Sequence, residues 1–563
     1  MNKPADFKPP IEQNEFISVV TDDLENRVEV GVLFVGAGPA NLAAAIRLGQ
    51  LISNEPELME SLGEIPIAII EKGKYPGAHL VSGAVVNPVS FRALFPDMQD
   101  SDFPFFGPVK KEALYYLTNK GSIRLPTPPT MYNSGNYVAS ISKMAQWLGE
   151  KAEELGVIIF NEMAGIKLLL ENGVVKGVRT DDKGLDRDNK PLGNFQPGSD
   201  VLANVTVLGE GTTGHLSMAL IEHFNLDGEN PQVYALGVKE IWEVAKPLDK
   251  VIHTMGWPLR GSKKFNEFGG SFIYPMGEDK VSLGLVVGLD YADATLSVHD
   301  LLQEFKFHPI VKNIVEGGKR LDSGWGAKTI PEGGFYAIPN KLSVPGALLV
   351  GDSAGFVNVP ALKGIHYAMM SGILAADTIF AQLKDKKDPS AEGALAGYDE
   401  AVKNSFIWKD LYRVRNMRQA FQNGFLSGFI LAGLMTVTGG LFPGWRLRSH
   451  RDSEKEMFIG DDRNYPKPDN KFTFDKLNSV FATGNRSREN QPNHIRINKD
   501  VPDVIAEAWI NMCPAQVYEW NEDSGSKELR LDPSNCVQCG AITSKGGRLT
   551  PTEGGSGPEY EQA

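Results

Sequence analysis

The sequence predicts an α/β protein. A nucleotide-binding core on discontinuous pieces of chain would carry a β-rich second region and a small cysteine-bearing tail. Three observations predict it. An apolar, β-branched run ends in a glycine turn that opens a helix near residue 36. Two more strand-to-glycine junctions follow, near residues 209 and 351. All three cysteines fall in the last tenth of the chain.

The first element is Val30–Val35, leading into Gly36-Ala37-Gly38-Pro39-Ala40-Asn41 and then the helix-forming Leu42–Leu48. Strand, glycine turn and helix in that order make the first unit of a Rossmann-like fold. Gly36 permits the tight turn. Gly38 lets the backbone approach a pyrophosphate at a helix N-terminus, where free N–H groups favour anions. Asn41 stands where a third glycine is usual. A second strand, Ile67–Ile70, ends at Glu71, an acid suited to ribose hydroxyls. Downstream, Val201–Leu208 leads to Gly209-Glu210-Gly211, and Leu348–Val350 leads to Gly351-Asp352-Ser353-Ala354-Gly355. Asp352 would hold a ribityl hydroxyl, and the following helix would aim its N-terminus at the flavin pyrophosphate or pyrimidine. The three segments together predict bound FAD, since NAD enzymes need no ribityl contact.

The composition excludes several classes. At 563 residues, 42% hydrophobic and 23% charged, the chain is globular and expected to form two to three domains. A net charge of −13 argues against nucleic acid as a partner. The low cysteine count argues for a reducing compartment. Residues 1–29 are acidic and lack an apolar core, unlike a secretory or mitochondrial leader.

Residues 424–445, GFLSGFILAGLMTVTGGLFPGW, carry no charge and are flanked by Arg413, Arg415, Arg418, Arg446, Arg448 and Arg451. Basic flanks around an apolar stretch suit anionic headgroups. About 20 apolar residues suffice to span a bilayer, but the glycines and Pro443 here make a poor spanning helix. A monotopic insertion into one leaflet is expected, with a buried core helix as the alternative.

Cys536-Val537-Gln538-Cys539, preceded by Cys513-Pro514, has the spacing of zinc or iron–sulfur ligands. Zinc wants a fourth ligand, and no histidine follows His494. A 3Fe–4S cluster needs only three thiolates.

Flavin, iron–sulfur site and membrane patch on one chain resemble the electron transfer flavoprotein–ubiquinone oxidoreductases. The specific stretches are Gly77–Ala84, Gly135–Tyr137, Pro231–Val244, His253–Leu259, Gly269–Phe272, Val287–Tyr291, Glu316–Arg320 and Gly355–Pro360. The resemblance implies FAD, a 4Fe–4S cluster, ubiquinone, and electron entry from reduced electron transfer flavoprotein. It places Gly269 and Gly270 at the quinone headgroup and makes Cys513, Cys536 and Cys539 metal ligands. The family's fourth cysteine is Ile542 here, which leaves 4Fe–4S, 3Fe–4S and a lost cluster open. Ser544 and Glu553 are the candidate oxygen ligands nearby in sequence.

The expected organisation follows. The FAD-binding domain comprises residues 29–89, 131–239 and 334–422. The quinone-binding and membrane-contact domain comprises 103–130, 240–333 and 423–450. A small ferredoxin-like iron–sulfur domain spans 471–563. Residues 181–200 read as a surface hairpin. Tyr274, His79 and His253 are proton-donor candidates by residue type. The expected location is the cytoplasmic face of a bacterial inner membrane, or the matrix side of the mitochondrial one. The rivals are an FAD-dependent hydroxylase or isoprenoid reductase of the same fold, and a cluster-less flavoprotein scaffold.

Overall fold

The computed structural model describes residues 2–12, 15–461, 463–521 and 528–563. Its first sheet holds the parallel neighbours Ile158–Phe160, Ile67–Ile70, Arg27–Val35, Asp200–Leu208 and Ala347–Leu349. Ile67–Ile70, Ala347–Leu349 and the carboxyl-terminal halves of Arg27–Val35 and Asp200–Leu208 are buried on both faces, which is why they read as apolar runs. Their register fixes the site. Val35 lies opposite Ile70 and Leu208, and Leu208 lies opposite Leu349. The glycine junctions and Glu71 therefore leave the sheet at one carboxyl edge, where open α/β sheets bind ligands.

The helix Pro39–Ile52 follows the first glycine turn. It crosses a second helix, Ile365–Lys384, so closely that a Cβ on Gly372 would lie 2.0 Å from Ala40 O. Asn41 takes the place of a third glycine without disturbing the turn. It is fully buried and donates to Val35 O at 2.8 Å and Gly36 O at 2.9 Å. Room for it comes from Gly209, whose Cβ would lie 2.6 Å from the Asn41 side chain.

The helix that follows the third glycine junction starts late. A single 3₁₀ turn, Gly351–Ala354, ends at Gly355 in the left-handed region, φ +78°. A loop then runs to Gly364, and only there does the helix begin. Gly355 breaks the helical path, and Pro360 has no N–H to extend it.

The second sheet orders Lys319–Pro331, Tyr234–Glu243, Lys280–Gly288, Gly269–Pro275, Val251–Gly256, Glu112–Leu117 and Ser122–Leu125 side by side. The strand Tyr234–Glu243 runs across the position 239/240 where the sequence placed a boundary. It pairs along its whole length inside this sheet. Buried below the sheet, Glu240 accepts from Lys306 Nζ at 2.8 Å, Gln303 Nε2 at 3.0 Å and Trp242 Nε1 at 2.8 Å.

The cysteine-bearing tail shares its core with this second sheet. Trp509, Cys513, Cys536 and Ile542 belong to one hydrophobic cluster with Leu236, Leu285 and Trp325. The insertion is a hairpin, Lys183–Leu185 with Pro191–Gln196.

The apolar segment is not a core helix. Phe425–Val437 forms a helix on which only Gly428 and Met435 are buried. Leu426 is 75% exposed and Val437 87%, and Leu441 beyond it is 78% exposed. Among the described residues, no helix is long and apolar enough to cross a membrane.

Candidate functional site

One cavity of about 1000 Å³ runs from the carboxyl edge of the first sheet, across the second, to the exposed helix. Gly36, Gly38, Glu71, Gly209, Gly211, Gly351 and Asp352 line one end. Gly269 and Gly270 line the middle, and Phe425, Phe429 and Val437 the mouth. Gly355 lies off the wall and acts by turning the chain. The three cysteines are not on the wall, but Gln538, between two of them, lines it together with Leu549, Thr550 and Pro551.

The first end fits a dinucleotide. Gly36 sits at φ +93°, and a Cβ there would meet Gly209 O at 3.0 Å. Gly38 caps the helix with no side-chain acceptor on the first N–H groups, which leaves them to an anion. Glu71 is engaged by the backbone, accepting from Ala37 N and Gly73 N, each at 2.7 Å. These bonds fix the glycine turn, and each carboxylate oxygen keeps a second lone pair. Asp352 is held up to about pH 6 by burial, opposed by a hydrogen bond with Thr212. A carboxyl this dry has a place for a hydroxyl donor. His79 lines the same end with Nδ1 buried and without a partner.

In the middle, a Cβ on Gly269 would meet Val286 O at 2.0 Å, and one on Gly270 would meet Thr254 O at 2.5 Å. Only glycine allows this strand its path beside its neighbours. His253 and Tyr274 stand on the same pair of strands.

Cys513 and Cys536 are buried and Cys539 is half-buried. Val517 N points to Cys513 Sγ at 3.5 Å, and Gln538 N to Cys536 Sγ at 3.3 Å. Burial, with the charge of Cys513 next, pushes the Cys539 thiol up to about 12. Three such thiols cannot ionise together in isolation, whereas iron would neutralise them. Among the described residues, no group of three or more His, Cys, Asp or Glu side chains converges to hold a single metal ion.

The position where the family resemblance puts a fourth cysteine is apolar. Ile542 is buried, and a Cβ on Gly547 would come within 2.7 Å of it. Ser544 Oγ donates to Ala541 O at 2.8 Å. Glu553 accepts from Arg488 Nη2 at 2.5 Å and Gly184 N at 3.0 Å. Both oxygen candidates are thus engaged elsewhere.

Sequence reasoning missed the basic pair between the cysteines and the cavity. Lys72 Nζ donates to Gln538 Oε1, and Lys328 Nζ to Gln538 O at 3.0 Å. Burial, then the charge of Lys72, lowers Lys328 to about 8. Thr329 completes the seam by donating from N and Oγ1 to Cys539 O, at 2.9 and 2.8 Å. The available signal was Gln538 itself, a polar residue between two cysteines.

Comparison with known proteins gives the following. Residues 234–330 match the model "ETF-QO, ubiquinone-binding". Residues 470–561 match "Electron transfer flavoprotein-ubiquinone oxidoreductase, 4Fe-4S". The mitochondrial electron transfer flavoprotein–ubiquinone oxidoreductase of Dictyostelium discoideum is 39% identical over 94% of this chain and 90% of its own length. That of Homo sapiens is 39% identical over 94% and 89%. Among solved structures, a geranylgeranyl bacteriochlorophyll reductase-like protein from Thermoplasma acidophilum superposes with a TM-score of 0.55 at 20% identity, covering 73% of this chain and 92% of its own. That likeness shows the fold alone.

Proposed function

The chain belongs to the electron transfer flavoprotein–ubiquinone oxidoreductase family, and on that premise we propose how its residues share the work. The protein is an oxidoreductase that passes electrons from reduced electron transfer flavoprotein to ubiquinone, with FAD and an iron–sulfur cluster as its cofactors. The observation that carries the site reading is the single cavity. It joins the glycine turns, the Gly269-Gly270 strand and the exposed apolar helix, with Gln538 on its wall.

Gly36, Gly38, Glu71, Gly209, Gly211 and Asp352 would hold FAD, with Gly351 and Gly355 shaping the turn around Asp352. FAD exchanges electrons singly or in pairs, which suits a one-electron cluster on one side and a two-electron quinone on the other. Gly269 and Gly270, which line the middle of the cavity, would stand at the quinone headgroup. The apolar mouth would take the isoprenoid tail directly from the bilayer. The exposed face of Phe425–Val437 would seat the protein on that bilayer without spanning it. The side of the membrane is proposed as the cytoplasmic face in a bacterium, or the matrix face in a mitochondrion.

Cys513, Cys536 and Cys539 would hold the cluster. With Ile542 at the fourth corner, we read a 3Fe–4S cluster, or a four-iron cluster with one iron lacking a protein ligand. Residues 29–89, 131–233 and 334–422 form the FAD-binding part in this reading. Residues 103–130, 234–333 and 423–450 form the quinone part, and 471–563 the cluster part.

The test is direct. Full-length protein with FAD, reduced by electron transfer flavoprotein, should reduce ubiquinone-1 to the quinol. A flavin that is bleached rapidly by NADPH, with no quinone reduction, would favour the hydroxylase reading instead.

A further inference from the structure

Turning a quinone into a quinol takes two electrons and two protons. The donor protein supplies the electrons, but the protons must enter an apolar cavity. Three titratable groups were candidates by type, and the structure separates them. His79 lies at the nucleotide end, beside Lys72 and Gly557, and among the described residues no hydroxyl is bonded to its ring. The other two meet in the quinone region.

Along the strand Gly269–Pro275, side chains alternate between faces. Phe272 and Tyr274 therefore share a face, two and four residues beyond Gly270. The antiparallel register sets His253 opposite Phe272. His253 Nε2 then lies 2.7 Å from Tyr274 Oη, with both side chains buried and both lining the cavity. The loop above them has been cleared for this arrangement. A Cβ on Gly83 would lie 3.0 Å from the Tyr274 ring and 3.1 Å from that of Phe272.

Resting on the quinone-reductase reading, we propose that His253 and Tyr274 form a proton relay that protonates a quinone oxygen held at Gly269-Gly270. Burial, and then the charge of Lys363, lower His253 to about 3, so its resting imidazole is neutral and holds one proton. With Tyr274 donating to Nε2, that proton sits on Nδ1. In the step, the Nδ1–H bond breaks and an O–H bond forms on the reduced quinone. Nε2 takes the Tyr274 hydroxyl proton, and Tyr274 recovers one from solvent. Each passage moves one proton and no electron, so a quinol requires two.

The experiment uses full-length, FAD-loaded protein, pre-reduced and mixed in a stopped-flow instrument with one of two oxidants. Ubiquinone-1 takes electrons and protons, whereas ferricenium takes electrons alone. Tyr274→Phe and His253→Gln should each slow reoxidation by ubiquinone-1 by roughly a hundredfold. Reoxidation by ferricenium should stay within about twofold of the wild type, a split that a merely structural role does not produce. Equal slowing with both oxidants, no slowing with ubiquinone-1, or loss of FAD from both variants would overturn the relay. Wild-type protein that ubiquinone-1 cannot reoxidise at all would remove the quinone-reductase reading, and the relay with it.

Discussion

Lys72 Nζ donates to Gln538 Oε1 at 2.5 Å, joining the residue after Glu71 to the residue between two cysteines. Both side chains line the same cavity. Lys72 is half-buried, and desolvation lowers its pKa while the charges of Glu71 and Glu210 raise it. Replacing Gln538 with Leu leaves this ammonium without its side-chain acceptor, at a cost of about 1–3 kcal/mol. Amide hydrogen exchange should then speed up around Cys536 and Cys539, with the strand Arg27–Val35 unchanged. Uniform protection in both regions would show that the contact carries no load.

Gly209→Ala should destabilise the protein by about 1–3 kcal/mol and lower its flavin content, because the new methyl overlaps Asn41. Asn41 cannot step aside without giving up its two bonds to the glycine turn. The double variant Asn41→Gly with Gly209→Ala should recover most of the thermal midpoint. Additive losses would refute the complementarity.

Asp352 gives a pH signature. Its folded pKa is raised to about 6 by burial, so its protonated form favours the folded apoprotein. That contribution is complete below the unfolded value and is lost as pH rises through 6. In flavin-free protein, Asp352→Asn should therefore be more stable than wild type at pH 7.5, by about 1–3 kcal/mol, and equal to it near pH 4. It should bind FAD more weakly at both. Parallel denaturation curves at the two pH values would count against the assignment.

Phe429, Ile430 and Leu434 stand exposed on the helix Phe425–Val437. Changing all three to Ser should release the protein from liposomes of anionic phospholipid while flavin content stays normal. High salt on the wild type should release only part of it, since apolar burial is not screened. Full release by salt alone would make the attachment electrostatic.

Oxidised protein purified anaerobically should show the EPR signal of a three-iron centre, which an oxidised four-iron cluster lacks. Cys536→Ser should abolish or strongly perturb it, because an alkoxide is a harder ligand for this iron. Ile542→Cys should yield a stable four-iron cluster. Iron at background in the wild type would leave the flavin as the only redox centre.

Much of the nucleotide end was legible because it is local. The strand expected at Ile67–Ile70 has those same bounds, and the first helix lies where the alanine-rich run placed it. Gly209 was legible as a turn residue but not as the space filled by Asn41, since that fit joins two distant βα units. The late start of the helix at Ile365 was hidden because Gly355 and Pro360 act through backbone geometry, not hydrophobic period. His253 and Tyr274 were visible only as residue types. Their contact depends on strand register, which is set by the pairing of whole strands. The exposure of Leu426 and Val437 was likewise undecidable from an apolar run alone, because a core helix reads the same way.

The bond between Lys72 and Gln538 spans 466 residues of chain, and this separation orders events during synthesis. At 5–20 residues per second, roughly half a minute to a minute and a half passes between the making of donor and acceptor. Through that interval the first sheet can form, but the wall that Gln538, Leu549 and Pro551 add to the cavity does not yet exist. The nucleotide pocket is therefore a vessel with one side open while the chain grows. It is sealed by the segment that also carries the cysteines, so maturation of the two redox sites shares a single closing step.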